Sequence, residues 1–107
     1  MNQISGKPIP KMSKELSKEF FSLGIIMGMS KKQMMRALNM YYKIAHHPMW
    51  DSRRTSRALS IDCLYEVQRV EGMGMTQKDI TEFSHDAFGK STQPKPHLWR
   101  DFYVAII

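Results

Sequence analysis

The sequence is poor in cysteine, in long apolar runs and, over its first half, in acidic residues. Its 107 residues include one cysteine, Cys63, which excludes an internal disulfide and is typical of a reducing compartment, so we expect a cytoplasmic protein. The longest stretch without charge, residues 20–30, is shorter than the roughly 20 apolar residues that a membrane span needs. The first residues lack the apolar stretch of a secretory signal. We therefore expect neither export nor a membrane location.

Patterns that carry catalysis or bind cofactors are also missing. There are no paired carboxylates and no serine, histidine and aspartate constellation, and the GMG at 72–74 lacks the strand and third glycine of a dinucleotide site. His46 and His47 have no second cysteine or histidine at ligand spacing, which argues against zinc. Cys63 lies in an apolar helical pattern and is interpreted as a small buried residue. We predict a protein that is not an enzyme and needs no cofactor.

The charge that is present is unevenly distributed. The chain carries a formal net charge of +6, and its length and 42% apolar content suit one globular domain. Residues 1–60 hold 11 basic and 3 acidic side chains, whereas residues 61–107 hold 5 basic and 7 acidic ones. The first half therefore has a net charge of +8 and the second half −2. We expect the basic half to contact a polyanion.

Helical spacing of apolar residues dominates the middle of the chain. It predicts a mostly all-α fold, a compact bundle of four to five helices. An SxxQ capping box at Ser30 and Gln33 and a similar pattern at Thr76 and Asp79 mark two helix starts. The tail LWRDFYVAII, residues 98–107, fits a helix or a short strand, and we leave both open. The predicted helices run from Ser13 to about Gly24, from Ser30 to just before Pro48, from about Arg53 to Glu71, and from Thr76 to Gly89.

The positions of proline and glycine residues divide the chain into three parts. Residues 1–12 are predicted to form an extended basic arm. Residues 13–89 form one helical nucleic-acid-binding domain. Residues 90–107 are a connector followed by an apolar tail that packs on this domain or on a partner subunit. The sequence MGMSKKQM at 27–34 recurs as MGMTQKDI at 73–80, which we interpret as two similar glycine turns before capped helices, with duplication as the alternative.

Residues 20–39, FFSLGIIMGMSKKQMMRALN, have the layout of a helix-turn-helix. Gly28 suits a left-handed turn, and Ser30 caps the helix that follows. Such a short turn sets two helices at a steep angle and leaves the second free to enter the major groove of DNA. The residues predicted to pack in the corner are Leu23, Met27, Met29, Met34 and Ala37.

The segment GMSKKQMMRALN, residues 28–39, resembles the turn and recognition helix of bacterial and phage helix-turn-helix regulators. That resemblance implies a DNA-binding transcriptional regulator. Gly24 stands where the motif usually carries a helix-forming residue, so we expect the first helix to end near it. Residues 29–42 are also similar, more faintly, to the central helix of the ProQ/FinO family of RNA chaperones, with Lys31 and Arg57 in basic positions. In that comparison Met35 and Asn39 replace an arginine-rich face.

The outer face of the second predicted helix carries the candidate nucleic-acid contacts. Arg36 is assigned to guanine and Asn39 to adenine, because their side chains match the edges of those bases. Lysines near them are assigned to phosphates. Three arginines before and within the next helix extend the basic surface. The full set of predicted contact residues is Lys31, Lys32, Arg36, Asn39, Lys43, Arg53, Arg54 and Arg57.

Three partners follow from this pattern. Double-stranded DNA bound by a homodimer is the first hypothesis, because one recognition helix offers few base contacts. RNA is the second, since Trp50 beside two arginines would suit an unpaired base. A host protein is the third: ten methionines suit adaptable surfaces, and Met35 and Met40 lie off the inward stripe of their helix, where we expect exposure.

Overall fold

Four α-helices make up the described part of the protein. The computed structural model describes residues 12–46, 55–89 and 92–94, and within these ranges there is no β-strand. The predicted all-α fold is confirmed for this part of the chain. The predicted arm up to residue 11 and the C-terminal tail lie outside the described residues. The helices are α1 (Lys14–Ile26), α2 (Lys31–Ala45), α3 (Ser56–Val70) and α4 (Gln77–Phe88).

Each helix begins at a hydroxyl side chain that accepts a hydrogen bond from a backbone N–H of the first turn. The predicted capping box at α2 is confirmed: Gln33 N donates to Ser30 Oγ at 3.1 Å, and Ser30 N donates to Gln33 Oε1 at 2.8 Å. Thr76 and Asp79 form the same reciprocal pair at α4. Such caps satisfy N–H groups that have no partner within the helix. The four capping residues are Ser13, Ser30, Thr55 and Thr76.

The predicted end of the first helix at Gly24 is wrong, because α1 continues to Ile26. After the Met27 cap the chain turns at Gly28, whose φ of +78° is in the left-handed region that glycine tolerates best. Gly28 N donates to the Ile25 carbonyl and Met29 N donates to the Gly24 carbonyl, both at 2.9 Å. This pair of bonds is the Schellman motif, which satisfies the last carbonyls of a helix. The left-handed turn predicted at Gly28 is confirmed.

The third helix also differs from its prediction at its start. It begins at Ser56 behind the Thr55 cap, and not near Arg53. The Thr55 hydroxyl accepts from Ala58 N at 3.1 Å, so the helix starts where a side chain can satisfy its first turn. The end of α4 at Gly89 is as predicted, and this glycine has a φ of +74°.

The core lies between α3 and the other three helices. The α2 helix packs mainly against α3, and α1 packs against α3 and α4. Ten of the 15 residues of α3 are buried. Within the described ranges no helix is long and apolar enough to cross a bilayer. The buried apolar residues of the core are Phe20, Leu23, Met27, Met29, Met34, Ala37, Met40, Tyr41, Ile44, Leu59, Ile61, Cys63, Leu64, Val67 and Ile80.

The turn between α3 and α4 resembles the α1–α2 turn and is two residues longer. Met73 N donates to the Gln68 carbonyl at 3.0 Å, again in a Schellman pattern, and Gly72 and Gly74 both have left-handed φ values. The buried Gln68 side chain holds the extra residues: its Nε2 donates to the Met75 carbonyl and its Oε1 accepts from Met75 N, both at 3.0 Å. The recurring MGM sequence therefore marks two glycine turns before capped helices.

Candidate nucleic-acid interface

The corner between α1 and α2 is formed by buried apolar side chains. All five residues predicted to pack there are buried, and they are Leu23, Met27, Met29, Met34 and Ala37. Gly24 is also buried, and a Cβ added to it would lie 2.7 Å from Met34 Cγ and closer still to Met34 Sδ. The missing side chain at Gly24 thus makes room for Met34 of the next helix. The corner ties the start of α2 to the end of α1.

The face of α2 that points away from α3 is exposed and basic. Lys31, Lys32, Asn39 and Lys43 are all exposed, while the apolar side of the helix faces the core. Lys32, Asn39 and Lys43 follow one another at intervals of seven and four residues, which places them along one side of a helix. Among the described residues, none of the three lysines forms a salt bridge with a carboxylate. Their charges therefore face solvent.

The first turn of α2 concentrates positive charge. It contains Lys31 and Lys32 and no acidic residue. A helix N-terminus already carries roughly half a positive charge from its aligned peptide dipoles, and acidic side chains are favourable there. Two lysines at this position add to that potential instead of cancelling it. The arrangement is electrostatically unfavourable for the isolated helix and favourable for an anion placed against this turn.

Arg36 lies at the edge of the basic face and is paired with Glu71, the residue that caps the C-terminus of α3. Its Nη1 forms a salt bridge with Glu71 Oε2. The other oxygen, Oε1, accepts from Gln33 Nε2 at 3.1 Å. Gln33 also holds the Ser30 backbone in the capping box, so one connected network joins the start of α2 to the end of α3. The Arg36 side chain remains 54% exposed.

Arg57 is placed between α1 and α4. Its Nε and Nη2 donate to the two carboxylate oxygens of Glu19 at 3.1 and 3.0 Å. Its guanidinium carbon also lies 5.5 Å from the centroid of the Phe88 ring, within the range of a cation–π interaction. The structure therefore gives Arg57 one partner on α1 and one on α4, and none of its contacts among the described residues is on α2. Arg53 and Arg54 lie outside the described residues.

The two methionines expected to be exposed on α2 have different surroundings. Met35 is 41% exposed, as expected, but Met40 is only 7% exposed, so that part of the expectation is wrong. Met40 faces α3 and lines a shallow depression of about 140 Å³ together with Val67 and Val70. Its inward position arises because the side of α2 that packs on α3 includes Met40 together with Met34, Ala37, Tyr41 and Ile44.

Other chemically reactive groups are buried or isolated. Burial raises the pKa of the Cys63 thiol well above its ordinary value, and the negative charges of Asp62 and Glu66 raise it further. The thiolate is the nucleophilic form, so this cysteine is held in its unreactive state. Within the described residues, no three histidine, cysteine, aspartate or glutamate side chains come together as a metal site would require. His46 stacks against Tyr42, and His47 lies outside the described residues.

Sequence reasoning missed the part played by Glu71 and Gln68. Gln33 and Glu71 are 38 positions apart, and no spacing rule connects residues at that distance. Gln68 shares the helical register of Ile61 and Leu64, and a polar residue on such an apolar stripe was a sign that a buried side chain would need partners. Comparison of the chain with protein-family models, with curated proteins and with solved structures finds no match.

Proposed function

We propose that this protein is a small, non-enzymatic, cytoplasmic nucleic-acid-binding regulator that places α2 in the major groove of double-stranded DNA. One observation carries the proposal: the exposed face of α2 presents three lysines without a described acidic partner beside a polar residue suited to base edges. The opposite face is fixed on α3, so the helix stands on the surface as a rigid element. An α-helix of this kind fits the major groove of B-DNA.

The residues of the face divide by chemistry. Lys31 and Lys32 lie at the positive end of α2, where they and the free backbone N–H groups suit a phosphate. Lys43 reaches a phosphate at the other end of the helix. Asn39, between them, can bond both the acceptor and the donor of an adenine edge, and Arg36 can bond guanine. The proposal thus keeps five of the eight predicted contact residues and assigns Arg57 to the packing of the bundle.

A salt titration of DNA binding tests the proposal. The probe is a 20-base-pair duplex of mixed sequence, followed by fluorescence anisotropy at several salt concentrations. Each phosphate neutralised by a lysine steepens the dependence of log K on log salt by about 0.9. We expect Lys32→Gln and Lys43→Gln each to weaken binding and to reduce the slope by about that amount.

The matched control is Lys78→Gln, which removes an exposed lysine from the first turn of α4. It should leave both the affinity and the slope unchanged. If all three variants behave alike, binding reports net charge and the assignment to α2 is wrong. If unlabelled duplex fails to displace a single-stranded RNA probe, RNA is the ligand and the DNA assignment is wrong. If the protein binds neither, the proposal fails as a whole.

A further inference from the structure

We infer that Glu71 is a positioning and selectivity residue for Arg36: it directs this arginine to base edges and keeps it from acting as a phosphate contact. The inference rests on the proposed function of the α2 face. Glu71 belongs to the acidic half of the chain, and the packing of α3 on α2 brings it beside the α2 face. Its basis is the paired geometry of Arg36, Gln33 and Glu71.

The network needs a carboxylate at position 71. Two donors converge there, Arg36 Nη1 on one oxygen and Gln33 Nε2 on the other. A carboxylate offers acceptors on both oxygens, whereas an amide offers one acceptor and one N–H₂ group that would face a donor. Gln33 cannot turn its amide to compensate, because its own oxygen already accepts from Ser30 N at 2.8 Å. Glutamine at position 71 therefore loses one of the two bonds.

Helix stability does not explain why an acidic residue stands at this position. Glu71 caps the C-terminus of α3, where the helix dipole is negative and a negative side chain is unfavourable. The cost is offset by Arg36, whose positive charge comes from another helix. Glu71 is 24% exposed at its side chain, so the pair is only partly shielded from water and lies beside the surface proposed to meet DNA.

The pairing divides the donors of Arg36 between two tasks. One nitrogen, Nη1, is held by Glu71, and this restrains the position of the guanidinium at the edge of the α2 face. A guanidinium has five N–H donors in a rigid fork, so others remain for an acceptor on DNA. With its charge cancelled, the group gains little from a phosphate at any position along the duplex, and its remaining donors favour the two acceptors of a guanine edge.

The test combines Glu71→Gln, Arg36→Gln and the double variant in the salt titration of the mixed-sequence duplex. We expect Glu71→Gln to bind this duplex more tightly and with a slope steeper by about 0.9, because Arg36 is released to act as a phosphate contact. Arg36→Gln alone should leave the slope unchanged, and in the double variant it should return the slope to that of the wild type. Glu82→Gln, which removes an exposed carboxylate from α4, is the control for net charge and should not change the slope.

A selection from a randomised duplex pool supplies the second measurement. Wild-type protein should recover a consensus with one more fixed guanine position than either Glu71→Gln or Arg36→Gln. If Glu71→Gln lowers the melting temperature but keeps the slope and the consensus, Glu71 is a structural brace and the inference is overturned. Should Glu71→Gln fail to fold, Arg36→Gln decides alone, since a slope reduced by about 0.9 would show Arg36 already on a phosphate. Failure of the proposed function is distinguishable, because the wild type would then not bind the duplex, or Lys32→Gln and Lys43→Gln would behave like the Lys78→Gln control.

Discussion

At the scale of single residues, the missing side chain of Gly24 decides how closely two helices meet. Gly24 is inside α1 and has ordinary helical geometry, so the backbone itself does not require glycine. The space beside it is filled by Met34 of α2 and, at 3.8 Å from an added Cβ, by Leu64. Helix propensity and packing therefore make opposite demands at this position, and packing wins.

Gly24→Ala is expected to destabilise the protein, although alanine favours a helix over glycine by about 1 kcal/mol. The added methyl group overlaps Met34, and overpacking of a core costs about 1–3 kcal/mol. Urea unfolding measures the balance. In a Met34→Ala background the overlap is gone, so the same Gly24→Ala change should be neutral or stabilising there. If Gly24→Ala raises the stability of the otherwise wild-type protein, α1 and α2 do not pack as closely at Gly24 and Met34 as described.

Residues of equal charge in this chain do different work. Lys32 and Arg57 are both cations in the basic half, and sequence reasoning grouped them on one surface. In the structure Lys32 is exposed, whereas Arg57 is bonded to Glu19 and lies against Phe88. The two partners of Arg57 come from helices that precede and follow its own, so its position could not be derived from the neighbouring sequence.

At the scale of elements, the turn between α3 and α4 depends on a buried side chain. The α1–α2 turn is short enough to be completed by the helix ends and by the capping box. The longer turn has two more residues, and the Gln68 amide satisfies the N–H and carbonyl groups of Met75 that would otherwise be left without partners. The buried Gln68 amide thus supplies the two hydrogen bonds that the helix ends and the capping box do not provide in the longer turn.

Gln68→Met is expected to destabilise the protein by about 2 kcal/mol. Methionine has a similar shape and leaves no cavity, so the loss arises from the unpaired N–H and carbonyl groups of Met75. This residue is half-buried, so each group costs about 1 kcal/mol, the lower end of the range for buried groups. Chemical denaturation gives the value. Gln77→Met is the control. Among the described residues the side chain of Gln77 makes one hydrogen bond, of 3.4 Å to Gln93, and surface substitutions usually change stability by less than about 0.5 kcal/mol. Equal stabilities of the two variants would contradict the proposed role of Gln68.

Elements were predicted from sequence with unequal success. Helix starts were found at Ser13, Ser30 and Thr76, because a cap involves residues only three positions apart. The glycine turn at Gly28 followed from the same local chemistry. The end of α1 was misplaced because a glycine within a helix was interpreted as a stop, and its real cause is a contact with another helix.

At the scale of the whole molecule, the fold joins the two charge classes that the sequence separates. The basic half supplies the α2 face, and the acidic half supplies residues 61–70 of α3, on which α2 packs. Glu71 brings one acidic group to the border of the basic face, where it pairs with Arg36. The lysines of that face have no acidic partner among the described residues. Unpaired positive charge is therefore concentrated on one face of α2, which the net charge of +6 alone does not indicate.

The protein is expected to bind duplex DNA as a homodimer. A single α2 face offers base contacts through Arg36 and Asn39 only, and two copies on half-sites about 34–36 Å apart are the usual means to specific affinity. Sedimentation analysis of the protein with a duplex recovered by selection should give two protomers per duplex. A complex of one protomer, with equal affinity for a duplex that carries only one half-site, would exclude the dimer.

The sequence by itself determined the helical class, three of the helix starts, the glycine turns and the amphipathic character of α2. These features depend on residues within about one helical turn of each other, where capping, backbone geometry and periodicity act. Only the tertiary structure decided that Met40 is buried, that Gly24 lies against Met34, and that Arg57 and Arg36 have acidic partners. Such pairs join residues as much as 38 positions apart, and only the packing of one helix on another brings them together.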